Sequence, residues 1–206
     1  MLRLKKILES KQVSDIYHVC KLEDVVNYIV PNNTLLGSCR YYNSVFKSND
    51  VISFTRDRNY IPAVIGTSSV IFQFMVDGNI LSENHRIEPY NNKTKTLGFS
   101  EAEETVLGSI KNFKKYIKKV FFYVTKELIN YLNDTRDIHS LMSDLWKVKN
   151  YLKGVDTEKV EKNNYLGGWM ESYHYDDPDL EFLFKQNIKN SMTFTEFCKA
   201  LQEFAN

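Results

Sequence analysis

The apolar pattern of this 206-residue chain changes its period near residue 125, and that change limits the folds open to it. Upstream, Ser69 to Val76 reads SVIFQFMV, a β-branched and aromatic run that stops at the turn signal Asp77-Gly78. Val120 to Thr125 is a second such run, and Ile16 to Cys20 and Val51 to Thr55 are shorter ones. Leu22, Val25, Val26 and Ile29 recur at helical spacing until Pro31-Asn32-Asn33 closes the segment. Ile110 to Lys119 reads as a short basic helix, and the polar stretch Asn91 to Gly98 as a loop. Downstream, Leu128, Ile129, Leu132, Ile138, Leu141, Met142, Leu145, Val148 and Leu152 keep helical spacing. Thr193-Phe194-Thr195-Glu196 has the form of a capping box, and Phe197, Leu201 and Phe204 follow as an apolar stripe. The expected fold class is therefore α+β: a core over residues 1–125 and a helical C-terminal extension over 126–206 packed on it.

Composition narrows the class further. A hydrophobic content of 43% suits one sizeable core. Lys plus Arg number 27 and Asp plus Glu 26, so bulk charge draws the chain neither to nucleic acid nor to a membrane. The cysteines Cys20, Cys39 and Cys198 are odd in number and widely spaced, which fits neither a disulfide framework nor a zinc site. The opening MLRLKKILESK lacks the sustained apolar run of a signal peptide, and no run is long enough to span a bilayer. A cytoplasmic protein with no membrane partner and no metal is expected. The His and acids of Met170 to Asp177 lack ligand spacing and read as a loop, and Gly167-Gly168-Trp169 reads as a turn.

No phosphate loop, dinucleotide fingerprint, zinc-protease helix or nucleophile elbow is present. Three short patches remain. Tyr17-His18-Val19-Cys20 places a histidine in a short strand just before a helix; such a residue is either a hydrogen-bonded core histidine or a group aimed into a cleft. Ile52-Ser53-Phe54-Thr55-Arg56 runs from a strand into a charged turn. Alternation sets the hydroxyls of Ser53 and Thr55 on one face, with Arg56 at the exit. Hydroxyls and a guanidinium suit ribose and phosphate, and the plain alternative is a strand edge with a solvated turn. Glu101-Ala102-Glu103-Glu104 is an acidic first turn if helical. If it is a strand, Glu101 and Glu103 share a face on which a carboxylate can stabilise a sugar cation.

The order of these patches resembles the ADP-ribosyltransferase superfamily, and most closely its DarT-like and small phage-encoded members. Tyr17-His18-Val19-Cys20 stands for the strand histidine, Ser53-Phe54-Thr55-Arg56 with Tyr60 for the middle motif, and Glu101-Ala102-Glu103 for the acidic motif. The similarity spans roughly residues 15 to 125. It implies a split pair of bent sheets with NAD in the cleft, and a mono-ADP-ribosyltransferase of phage or phage-defence origin. It implies that His18 bonds a ribose hydroxyl and that Ser53 and Thr55 shape the nicotinamide wall. Phe54 or Tyr60 would stack on nicotinamide or the target, and Arg56 would hold phosphate or orient the acceptor. Glu103 would stabilise the sugar cation and Glu101 would orient the nucleophile, while Glu104 competes with Glu103 for the catalytic place. Binding without catalysis on the same scaffold is the alternative expectation.

The acceptor is expected to be a protein or a nucleic acid. For a nucleic acid, Lys111, Lys114, Lys115 and Lys118 would form an exposed basic ridge, provided that residues 110–119 are helical. Otherwise the lysines are a solvated face.

Overall fold

The computed structural model describes residues 14–37, 51–59, 68–89, 103–125, 128, 135–160, 187–189 and 191–205. Its frame is a seven-stranded mixed sheet in the order β5-β6-β3-β1-β4-β8-β9, with a separate two-stranded ribbon β2-β7. The strands are β1 (Asp15–Lys21), β2 (Thr34–Leu35), β3 (Val51–Thr55), β4 (Val70–Asp77), β5 (Ile87–Pro89), β6 (Glu103–Leu107), β7 (Ile110–Lys111), β8 (Ile117–Val124) and β9 (Asp156–Lys159). All pairings are antiparallel except β8 with β9. Pro89 lies in the edge strand β5, the position at which a missing N–H costs the ladder least.

The helical run 22–32, α1, follows β1 directly. Pro31 brings no N–H and crowds the carbonyl four residues back, and the helix widens into a π turn over Val25–Ile29 just upstream. Asn33 ends it at φ 46°, a left-handed position that asparagine tolerates. Its carbonyl accepts the Phe113 N–H at 2.9 Å. Its Oδ1 accepts both the Lys114 N–H and the Tyr151 hydroxyl, each at 2.9 Å, so one cap ties three distant segments together. Asp77-Gly78 starts a helix, α2 (Gly78–Ser82), rather than a hairpin. The Asp77 carboxylate accepts the N–H groups of Asn79 and Ile80 at 3.0 and 3.1 Å.

The expected basic helix over 110–119 is not formed. Ile110–Lys111 is strand β7, Asn112 sits at φ 54°, Phe113–Tyr116 is one 3₁₀ turn, and β8 begins at Ile117. Phe113 and Tyr116 are the buried anchors of that turn, and two buried positions three apart read alike in a 3₁₀ turn and in a helix. From Glu103 on, the acidic motif takes the strand alternative, as β6, while Glu101 and Ala102 lie outside the described residues. Asn91 to Gly98, Cys39, the segment 167–177 and the side chain of Phe204 lie outside the described residues.

The C-terminal part contributes more than helices. Helix α3 (Thr135–Tyr151) buries Ile138, Leu141, Leu145 and Val148, which follow the 3.6-residue period. The chain then adds β9 in parallel to β8, so the sheet includes a strand where only helix was expected. Helix α4 (Phe194–Ala205) starts at the expected capping box. The Thr193 N–H donates to the Glu196 carboxylate at 2.8 Å, and the Glu196 N–H donates to Thr193 Oγ1 at 3.2 Å. Phe194 stands edge-on to Phe122 at 5.1 Å and to Phe72 at 5.2 Å. Phe194, Phe197 and Leu201 share one continuous apolar core with Ile16, Ile52, Phe54, Phe74 and Val120. Truncating Phe194 to alanine should cost about 3–5 kcal/mol, because a fully buried ring leaves a cavity. In urea unfolding the midpoint should fall with little change in slope.

Candidate functional site

Three of the seven strands bring the sequence patches together. In the order β6-β3-β1, Phe54 stands opposite Glu104, and Tyr17 stands opposite Thr55. The register follows from burial: Ile16, Ile52, Phe54 and Val106 are each 1% exposed or less, and alternation places their neighbours two residues away on the same side. Hence His18 on β1, Phe54 on β3 and Glu104 on β6 form a row across adjacent strands on the core-facing side. His18 and Glu104 are half-buried at its margin.

His18 has a defined proton state. Its Nδ1 lies 2.8 Å from the Ser53 carbonyl oxygen, which can only accept, so Nδ1 carries hydrogen and donates. Burial holds its pKa below the ordinary value of 6.5, against the smaller opposing effect of the Ser53 bond. At neutral pH the ring is uncharged, and Nε2 presents a lone pair. The ring packs at 5.4 Å and 57° against Phe54.

Arg56, two residues beyond Phe54, is diagonal to Glu104 across the ladder, a separation that long side chains bridge. Its Nε donates to Glu104 Oε1, and Nη1 donates to Ser14 Oγ at 3.3 Å. The two side chains are 31% and 13% exposed, so the pair is partly withdrawn from water and less screened by salt than a fully exposed one. The rest of the stretch is turn chemistry. Thr55 Oγ1 accepts the Asp57 N–H at 3.0 Å, and Asp57 Oδ1 accepts the Asn59 N–H at 2.8 Å.

Several expected site residues take other places. Phe54 is 1% exposed and belongs to the core, so its ring supports His18 and is not presented for stacking on a ligand. Ser53 and Thr55 alternate to the opposite face from His18. Ser53 meets the histidine through its backbone carbonyl, and the Thr55 hydroxyl is used in the turn. Glu103 takes the backbone position opposite Thr55, while Glu104 takes the one opposite Phe54. Of the two, Glu104 is therefore the residue in the row with His18. Glu101 and Tyr60 lie outside the described residues.

The lysines form no helical ridge. Lys111 is in β7. Lys118, in β8, pairs with Asp15 at 2.7 Å. Lys114 Nζ donates to the Lys153 carbonyl at 2.9 Å, and Lys115 lies 4.5 Å over the Tyr116 ring. Ser14 was not singled out from the sequence, and no local pattern marks it. Glu104 carried a usable signal: once 103–107 is a strand, the apolar Val106 two residues on marks its side as the inner one.

Among the described residues no group of three or more His, Cys, Asp or Glu side chains could hold a metal ion. Among the same residues no helix is long and apolar enough to cross a membrane. Cys20 and Cys198 are buried free thiols; burial pushes Cys20 well above its ordinary pKa and Cys198 up to about 12, so neither is poised as a nucleophile. No family model and no curated protein matches the chain.

The lowered pKa of His18 makes stability depend on pH with a definite sign. Below 6.5 the unfolded chain takes up a proton that the folded chain still refuses. Stability from this group should therefore be full above 6.5 and fall as pH drops through the folded-state value, beyond which the loss levels off. Comparing urea stability across pH for the native chain and His18→Gln checks this: the acid-side slope should be shallower in the variant.

Proposed function

We propose that the chain is an NAD-dependent mono-ADP-ribosyltransferase, with His18 and Glu104 as the groups that meet the substrate. The observation that carries this reading is the row His18, Phe54 and Glu104 across three adjacent strands, built from the three patches that resemble the family's motifs in their order. This pair of hydrogen-bond acceptors suits the nicotinamide-side ribose of NAD. His18 offers a neutral Nε2 that accepts from a sugar hydroxyl, and Glu104 offers a carboxylate that accepts from another.

The chemistry asked of these residues is electrostatic. As the bond from ribose to nicotinamide breaks, positive charge grows on the sugar, and a fixed carboxylate stabilises that charge more than it stabilises the neutral ground state. Glu104 is assigned that role in place of Glu103 because it shares the side of His18. Phe54 contributes by holding the imidazole plane, and Ser53 by fixing its tautomer through the carbonyl. The acceptor is a protein or a nucleic acid, and the finer fold assignment, an ADP-ribosyltransferase-like cleft, belongs to the same proposal.

The test is release of nicotinamide from NAD, together with transfer of labelled ADP-ribose to lysate protein or nucleic acid. Glu104→Gln should lower the rate by about 10²–10³, the range for losing one preorganised electrostatic group. Glu103→Gln should leave it within about a few-fold, as expected of a residue outside the reacting set. A purified native chain that binds NAD yet liberates no nicotinamide is a binding module, and the enzymatic assignment is then wrong.

A further inference from the structure

We infer that Arg56 is a positioning residue that fixes the Glu104 carboxylate, and not a ligand for substrate phosphate. This rests on the enzymatic reading above and refines how its site works. An arginine that captures phosphate typically presents two parallel N–H groups of its planar fork to the anion. Here two of the five guanidinium N–H donors, on Nε and on Nη1, are turned to protein oxygens on two different segments. Nε donates to Glu104 Oε1, and Nη1 donates to Ser14 Oγ at 3.3 Å. The guanidinium is thus held from both sides, by β6 through Glu104 and by the residue preceding β1 through Ser14.

The consequence falls on Glu104. A glutamate on a strand has three side-chain torsions, and unrestrained it would sample several positions for its carboxylate. Its single contact with Arg56 goes to Oε1, so Oε2 is the oxygen left to accept a substrate hydroxyl. The pair is half-buried, with Glu104 13% exposed, which limits competition by water for the same donors. Because Phe54, directly opposite Glu104 and two residues before Arg56, is locked in the core, the diagonal from Arg56 to Glu104 is set by the ladder itself. A displacement of about 1 Å in a reacting group can cost about 10²-fold in rate, so such a restraint matters to turnover and little to binding.

The test separates turnover from binding. Steady-state nicotinamide release is measured for the native chain, Arg56→Ala and Arg56→Lys, with folding checked by circular dichroism. The expected result is a kcat lower by about 10²-fold with KM for NAD within about threefold, in both variants. Lysine should not rescue, because a point ammonium cannot reproduce the Nε contact with Glu104 and the Nη1 contact with Ser14 together. A KM raised about tenfold or more with kcat kept, partly restored by lysine, makes Arg56 a phosphate ligand and overturns the inference.

A second measurement needs no turnover. The Arg56 Nε–H proton should exchange with water at least about tenfold faster in Glu104→Ala than in the native chain, as a hydrogen-bonded proton released to solvent does. Equal exchange in the two overturns the pair and the inference with it. A native chain that releases no nicotinamide but protects this proton overturns the enzymatic reading, and with it the positioning role, while the contact itself stands.

Discussion

Strand β4 is the element on which the remaining structure depends, because it is buried on both faces and its register is set by one polar side chain. Val70, Phe72, Phe74 and Val76 face the main core, while Ile71 faces a second apolar cluster with Phe121 and Tyr123. Between Ile71 and Met75 sits Gln73, wholly buried. Its amide oxygen accepts the Tyr123 hydroxyl at 3.0 Å, and its amide nitrogen donates to the Arg58 carbonyl at 2.8 Å. A slip of one residue would carry that amide into the phenylalanine core, where its donors and acceptor would lose their partners. Register along β4 in turn fixes His18 opposite Phe74 and Val120 opposite the same residue from the other side.

The same strand explains why the C-terminal part cannot be read as an independent helical unit. Helix α4 covers the face of β4 and β8 that carries Phe72 and Phe122, helix α3 packs against α4 and α1, and β9 extends the sheet beyond β8. Strand β9, Asp-Thr-Glu-Lys, has none of the apolar alternation that marks the other strands. It is held by ladder bonds to β8 and by Lys119, which pairs with Asp156 at 3.1 Å and Glu158 at 2.7 Å. No local propensity announces such a strand. Its existence is a property of the edge it meets.

At the site, the fold separates residues that look equivalent in one dimension. Ser53, Phe54, Thr55 and Arg56 are consecutive, yet one accepts the His18 Nδ1–H with its carbonyl, one seals the core, one shapes a turn and one holds a carboxylate. Period-2 alternation explains the split between Phe54 and its neighbours, and it was available from the sequence. The partner of each group was not. Glu104 lies 48 residues from Arg56 in the chain, and Ser14 lies 42. Nothing in either local stretch indicates that the diagonal between β3 and β6 brings the first pair together.

What the sequence determined by itself is therefore the set of local objects: the strands with β-branched and aromatic alternation, the α1 and α3 stripes, the Thr193 capping box and the three polar patches. These follow from steric and hydrogen-bonding preferences that act within a few residues. It misassigned residues 110–119, because two buried aromatics three apart satisfy a 3₁₀ turn as well as a helix. Tertiary structure alone decided that β6, β3 and β1 are neighbours, that Glu104 and not Glu103 takes the position beside Phe54, and that Arg56 turns to the carboxylate. The physical reason is that strand pairing joins residues tens of positions apart, and only the burial of a shared core selects which register, and so which side chains, meet.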